Sequence, residues 1–312
     1  MLQNNPLVSV ALCTYNGEKF IIEQLESIIN QTYVNLEIII IDDCSTDNTY
    51  ELLINLIKGL PNIKLERNTQ NIGFTKNFEK AIGYCQGDFI AISDQDDIWN
   101  LNKIDVLVSE IGENNLIFHD SLLIDENGES IKNLKVSDKT EIYQGKSNLY
   151  FLTSNCISGH ACMFRRELLN FALPFDKRFF YDWWIAFVAA SIGTIKYIPN
   201  ALVSYRQHSN NITDILSKNK KSKNNQAGNN YFKYNIEWIE FASKFKYLKN
   251  AKEVKFIYKT LLDYSKGKRG INFIKFLSKY YTKLYPVKER SGLSKLNQIR
   301  KIYFSQPIVL EK

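Results

Sequence analysis

The chain has 312 residues, 45% of them hydrophobic and 23% charged, a composition that excludes a disordered, collagen-like or disulfide-stapled protein. Its five cysteines are scattered and form no CxxC pair, which argues against a zinc or dithiol centre and for a reducing, cytoplasmic setting. The net charge of +7 is divided unevenly: residues 1–210 carry 17 Lys and Arg against 26 Asp and Glu, whereas residues 211–312 carry 23 against 7. An acidic chemical domain followed by a basic segment that meets an anionic surface is expected.

No signal-peptide pattern opens the chain. Its longest uncharged apolar stretch, Trp183 to Ile195, is 13 residues, against the roughly 20 that a spanning helix needs.

In chain order, Leu7–Thr14 reads as a buried strand, and the apolar spacing of Phe20, Ile21, Leu25, Ile28 and Ile29 predicts a helix after the turn residues Asn16 and Gly17. Leu36–Asp43 is a second strand without a polar face, as in a parallel sheet. A helix through Leu52, Leu53, Leu56 and Ile57, a short strand at Ile63–Glu66, a helix at Thr75–Cys85 and a strand at Asp88–Ser93 follow. This alternation predicts a doubly wound, mostly parallel α/β sheet.

Further on come a helix at Leu101–Ile111, a strand at Leu116–His119 and a polar surface excursion over Asp125–Lys146. After these, Cys156–Phe164 reads as a strand interrupted at Gly159, Tyr181–Ile192 as a buried helix, and Ile195–Ile198 and Leu202–Tyr205 as two short strands. The division expected is a catalytic domain over 1–210, a polar linker over 211–230 and a basic helical region over 231–312.

In open α/β sheets, ligands bind beyond the carboxyl ends of the strands. Here those ends carry Thr14, Tyr15 and Asn16, then Asp42 and Asp43, then Asp94, Asp96 and Asp97 within four residues. One aspartate there is ordinary turn chemistry, but three so close repel one another unless a cation or hydrogen-bond donors neutralise them. Oxygen ligands suit a hard ion such as Mg²⁺ or Mn²⁺.

The opening VSVALCTYNGEKFIIEQLESIINQTYVNLEIIIIDDCSTDNT, then NIGFTKNFEKAI, SDQDDIW, ISGHACMFRRELL, FYDWWIAFVAA and LVSYRQHSNNIT, resemble in order and spacing the family two glycosyltransferases of the GT-A fold, in particular the bacterial rhamnosyltransferase-like branch. The resemblance covers residues 7–210. It implies a nucleoside diphosphate sugar donor, with uridine or deoxythymidine as the nucleoside, and a saccharide acceptor, lipid-linked in cell-surface polysaccharide (O-antigen or capsule) synthesis. A place in the cytoplasm, peripheral on the inner face of the membrane, follows.

By the same resemblance Asp94 meets ribose or the metal shell, Asp96 ligates the metal, His208 reaches metal or diphosphate, and the neighbouring Arg206 meets phosphate on the donor. Asp43 accepts from the pyrimidine imide N–H, and Thr14, Tyr15 and Asn16 shape its pocket. Glu18 and Lys76 are further donor-side candidates that also read as solvated helix residues.

Asp182 is the expected general base, although it also reads as a helix cap, and the residue before it is Tyr181 rather than the glutamate of the family's ED pair. Asp97, Trp99, Gly159, His160 and Trp183 are acceptor-side candidates. The tryptophans have a plain alternative as core residues, and His119 reads as structural. No QxxRW motif points to a processive synthase, and no glycine-rich basic loop points to a sugar-nucleotide pyrophosphorylase. A non-catalytic nucleotide-sugar-binding or scaffolding protein remains the alternative from another class. For the basic tail three readings stand: contact with an anionic membrane, a solvated lysine-rich scaffold, and nucleic acid, which no accompanying motif supports.

Overall fold

The computed structural model describes residues 5–209, 211, 235–268, 270–280 and 284; all but the first of the residues expected as a linker lie outside that set. The first half runs β1 (Val8–Thr14), α1 (Ile21–Ile29), β2 (Leu36–Asp42), α2 (Thr49–Leu56), β3 (Ile63–Arg67), α3 (Phe74–Tyr84), β4 (Phe89–Ser93), β5 (Ile98–Trp99) and α4 (Lys103–Ile111). It continues with β6 (Leu116–Ile124), β7 (Ser130–Lys135), α5 (Val136–Lys139), a 3-10 turn at Gly159–Ala161, β8 (Cys162–Arg165), α6 (Leu169–Ala172), α7 (Tyr181–Ile192) and β9 (Ile195–Arg206). A helix over 235–243 (α8), α9 (Ala251–Ser265) and α10 (Ile271–Lys279) complete the described chain.

The strands form one sheet in the order β3-β2-β1-β4-β8-β6-β9-β5, with β7 paired to the later part of β6, beyond its pairing with β8. The first four are mutually parallel, as the apolar runs and helical crossovers require, and β8 is the antiparallel member between β4 and β6. Alternation along β1 supplies both cores: Val8, Val10 and Leu12 pack with Ile21, Leu25 and Ile28 of α1 and with α4, while Ala11 and Cys13 face α3 and α7. The parallel register sets Thr14 beside Asp42, and Leu12 beside Ser93, so the acidic residues after β2 and β4 emerge along one edge.

Three expectations are corrected. The strand expected over Cys156–Phe164 is extended only from Cys162. Before it, the Asn155 side chain bonds both the N–H and the carbonyl of Ile157 and turns the backbone, and Gly159 opens the 3-10 turn. The two short strands after Ile195 are one strand, β9. Its pairing with β6 shifts register around Asp120, opposite Pro199 and Asn200, where proline offers no N–H to the ladder. The excursion after Asp125 supplies β7 and α5, which pack on β6.

The C-terminal helices share a core with α7. Trp238, Phe241 and Phe245 pack against Trp183, Trp184 and Phe187, and the carbonyl of Phe151 accepts from the indoles of both Trp183 (2.6 Å) and Trp238 (2.9 Å). Among the described residues, no helix is long and apolar enough to cross a membrane.

Candidate active site

The edge carrying these strand ends opens into a cavity of about 380 Å³. Of the residues singled out above, Thr14, Tyr15, Asp43, Asp94, Asp96, Gly159, His160 and Asp182 line it.

One wall follows β1 and β2. Thr14 donates its hydroxyl to the buried Asp42, whose carboxylate also accepts from the backbone and hydroxyl of Ser45. Asp43, the next residue, accepts from the Asn68 amide (2.8 Å) and from the backbone N–H groups of Ile72 (2.9 Å) and Gly73 (2.9 Å). These bonds fix the turn that enters α3, where Gly73 sits at φ 84°, a conformation that favours glycine. A carboxylate has room for about four acceptor contacts, so three from the protein leave Asp43 one toward the cavity.

Tyr15 is held by Gln95, which accepts from its N–H (2.8 Å) and donates to its carbonyl (3.1 Å). Asn16 and Glu18 point instead toward the start of α2: Asn16 accepts from the Thr46 N–H, and Glu18 from the backbone and amide of Asn48.

Next along the same edge come the acids after β4, beside β1 in the sheet. Asp96 Oδ2 lies 2.9 Å from His208 Nε2, and the His208 ring stacks on Phe20 with centroids 5.1 Å apart. Asp97 is fully buried. Its Oδ1 accepts from the Arg206 N–H, and its Oδ2 makes no hydrogen bond but lies 3.6 Å from His160 Nδ1, which is also 3.6 Å from Asp94 Oδ2. Burial pushes the Asp97 carboxyl up to about 7; His160 pulls it down, and Asp96 and Asp94 push it up. On His160 the effect of burial, which disfavours the cation, is outweighed by Asp97 and Asp94, so its pKa is raised.

Arg206 is 2% exposed and faces inward rather than into the cavity. Its guanidinium donates to the carbonyls of Asp96 (2.9 Å), Asp125 (3.4 Å) and Glu126 (3.1 Å) and to the Glu23 carboxylate (2.6 Å), so it clamps the acidic segment to β9 and its neighbours.

Two donor sets on this wall suit a hard divalent cation. Asp96 and His208 already converge beside Asp94, and ligand atoms of Asp94, Asp97 and His160 lie within 4.8 Å of one another. Carboxylate oxygen with imidazole nitrogen suits Mn²⁺, and the carboxylate oxygens suit Mg²⁺. The unpartnered buried oxygen of Asp97 is the kind of atom that such an ion satisfies.

Asp182, which lines the same cavity, stands in the first turn of α7. It accepts from the Trp183 N–H at 2.6 Å, yet burial, with Asp94 adding to it, pushes its carboxyl up to about 7 against the pull of that bond. Its neighbour Tyr181 packs on Phe78, with ring centroids 4.5 Å apart, and reaches beneath Gly159.

Asn16, Glu18, Lys76, Trp99, Trp183 and His208 do not line this cavity, and neither does Asp97, whose full burial removes it from the acceptor side. Trp99 and Trp183 are corrected to core residues: Trp99 is buried with the Lys103 ammonium 3.3 Å from its ring centroid, and Trp183 is fixed by Phe151 and Trp238. Lys76 bonds Glu79 and the Phe175 carbonyl. His119 is buried, its Nδ1 2.6 Å from the Asp120 carbonyl, as a structural histidine should be.

Several site residues were not anticipated. Gln95 lies inside the SDQDDIW run, so its motif was visible. Phe74, Phe180 and Tyr205 line the cavity, Phe20 supports His208, and Lys103 donates to the His160 carbonyl (2.7 Å) from complete burial, which pushes its pKa well down. A lysine in the first turn of a helix carries no mark of that burial.

A mostly parallel sheet with acids at its strand ends, which share a cavity with a carboxylate at the head of a helix, is the architecture of a GT-A type glycosyltransferase. Residues 9–171 match the family described as glycosyl transferase family 2, and the chain belongs to that family. Among curated relatives, the UDP-Glc:alpha-D-GlcNAc-diphosphoundecaprenol beta-1,3-glucosyltransferase WfgD of Escherichia coli is 34% identical over 184 residues, 58% of this chain and 69% of that one. The dTDP-rhamnosyl transferase RfbG of Shigella flexneri is 31% identical over 213 residues, 64% and 72% of the two chains. Among solved structures, the mannosyltransferase PcManGT from Pyrobaculum calidifontis, in complex with GDP-Man and Mn²⁺, superposes with a TM-score of 0.56 at 15% identity, covering 96% of this chain and 85% of that one. The protein is a glycosyltransferase.

Proposed function

We propose that this glycosyltransferase transfers the sugar of a uridine or deoxythymidine diphosphate sugar, with inversion, to a hydroxyl of a lipid-linked saccharide during synthesis of a cell-surface polysaccharide such as an O-antigen or capsule. The observation that carries the reading is Asp182, a carboxylate brought to about 7 by burial and lining the same cavity as Asp94 and Asp96. A base with that affinity is poised to take a proton near neutrality.

In the step proposed, the acceptor O–H gives its proton to Asp182, and the oxygen forms a bond to the anomeric carbon as the bond from that carbon to the diphosphate breaks. Nucleoside diphosphate leaves, and a single displacement inverts the configuration. Asp43 offers its remaining acceptor position to the pyrimidine imide, Thr14 and Tyr15 shape the wall around the base, and Asn16 holds the turn after β1 through its bond to the Thr46 N–H. Asp94, Asp96 and His208 would hold a divalent cation, Mg²⁺ or Mn²⁺, which when bound offsets the charge developing on the diphosphate. Gly159 and His160 form the floor on which the acceptor rests.

The names of WfgD and RfbG support a pyrimidine nucleotide donor, that of WfgD supports a lipid diphosphate acceptor, and the Mn²⁺ in the PcManGT complex supports the metal. A lipid-linked acceptor places the work at the inner face of the cell membrane. The test is a screen of purified protein with Mn²⁺ or Mg²⁺ against a panel of nucleotide sugars, following release of nucleoside diphosphate. Release from a uridine or deoxythymidine donor is expected; release from none, or only from purine donors, overturns the assignment.

A further inference from the structure

The two last described helices form an antiparallel hairpin. Tyr264 of α9 stacks on Phe273 of α10 with centroids 4.5 Å apart, Phe256 meets Tyr280 at 5.9 Å, and Glu253 pairs with Lys279 at 3.9 Å. Phe273, Phe276 and Tyr280 turn one face of α10 inward, which leaves Ile271, Ile274, Lys275 and Ser278, spaced three and four apart, on the solvent face. Ile271 is 69% exposed and Ile274 51%, an apolar pair one turn apart beside the hairpin tip, where Lys266 and Lys268 are also exposed. Along α9, Lys252, Lys255 and Lys259 add an exposed basic stripe. Residues 251–280 carry eight Lys and Arg against two Asp and Glu.

We infer that the tip of this hairpin is a membrane-docking surface, in which Ile271 and Ile274 enter the interface of an anionic bilayer while the surrounding lysines meet its headgroups. Each half of the pattern argues for that occupant. Clustered lysines complement an anionic surface. Two neighbouring exposed isoleucines gain from an acyl boundary and offer nothing to the phosphates of a nucleic acid. The inference deepens the reading that the acceptor is lipid-linked, since it supplies the contact that brings the enzyme to such an acceptor.

The test uses the full-length protein with vesicles of phosphatidylcholine alone and of phosphatidylcholine with phosphatidylglycerol, at low and high salt. Co-sedimentation is expected only with phosphatidylglycerol, and it should weaken as salt shortens the Debye length from roughly 10 Å at 0.1 M to 3 Å at 1 M. The I271S/I274S double variant should bind the anionic vesicles about tenfold less or weaker at low salt, because the inserted methylene groups are gone. Its melting temperature and its nucleotide release from a soluble donor should match those of the unaltered protein.

Intact protein left in the supernatant with phosphatidylglycerol vesicles overturns the inference, as does a double variant that binds as well as the parent. Retention by duplex nucleic acid but not by vesicles would replace it with a polyanion site. Failure of nucleotide release in parent and variant alike, with vesicle binding as expected, would count against the transferase reading and not against the docking surface.

Discussion

The hydroxyl of Tyr181 occupies the space that a side chain on Gly159 would need: a Cβ built there would lie 2.5 Å from it and 3.4 Å from Ile92 Cγ2. Tyr181 has little freedom to retreat, since its ring sits among Phe74, Phe78 and Phe175, and Asp182 follows it directly on α7. The Gly159→Ala protein should therefore fold but lose activity through displacement of the base, with kcat falling more than donor affinity. Tyr181→Phe removes the clashing atom, so Gly159→Ala/Tyr181→Phe should recover much of the loss. A double variant no better than the single one would show that the 3-10 turn, and not Tyr181, is what cannot move.

Asp182→Asn should keep nucleotide binding and reduce transfer by roughly 10²–10⁴-fold, the usual contribution of a general base. In the unaltered enzyme the active form is the carboxylate. With a folded pKa of about 7, kcat/KM should fall tenfold per pH unit below that value. Stability runs the other way. The folded pKa lies above the unfolded one, so the folded chain holds the proton longer and this residue makes the protein less stable as pH rises through the window from about 4 to 7. Asp182→Asn should consequently raise the melting temperature at pH 8 relative to the parent and leave it little changed at pH 4. Parallel thermal melts at the two values decide this.

How far the site was legible depends on where each residue's partners lie. The aspartates after β2 and β4 could be read because strand ends in a parallel sheet share an edge, and position in the chain then fixes position in the cavity. Asp182 was legible through the motif around it. Trp183 was not, because what makes it core is the Phe151 carbonyl that accepts from its indole and the ring of Trp238, 55 positions further on. Arg206 reads in sequence as a cation free to meet phosphate, yet three carbonyls from two loops converge on it. Much the same holds for β9, which reads as two short strands in sequence, whereas the sheet carries one strand through Pro199 with a shift in register.

Asp96 and His208 approach to 2.9 Å from segments 112 positions apart, which gives a metal test with two arms. Asp96→Ala should abolish donor turnover at any practical Mn²⁺ concentration and leave the melting temperature near that of the parent, since its carboxylate lies on the cavity wall and not in the core. His208→Ala should remain active but need more metal, by roughly 10–100-fold, the scale on which supporting ligands act. Nucleotide release is measured against Mn²⁺ concentration after chelation. Full activity in excess chelator would dispense with the ion.

The last prediction separates a phosphate-binding arginine from one that supports the fold. Arg206 donates to the carbonyls of Asp96, Asp125 and Glu126 and pairs with Glu23, and its own N–H reaches the buried Asp97. Arg206→Met keeps most of the volume and that backbone bond while removing four donated bonds to part-buried acceptors, each worth about 1 kcal/mol net. A destabilisation of about 3 kcal/mol is expected in denaturant titrations, together with a weaker response to Mn²⁺, because the clamp on Asp96 is lost. The affinity for nucleoside diphosphate measured without metal should be unchanged, since the guanidinium does not reach the cavity. A variant as stable as the parent but with weakened metal-free nucleotide binding would put the guanidinium on the diphosphate instead.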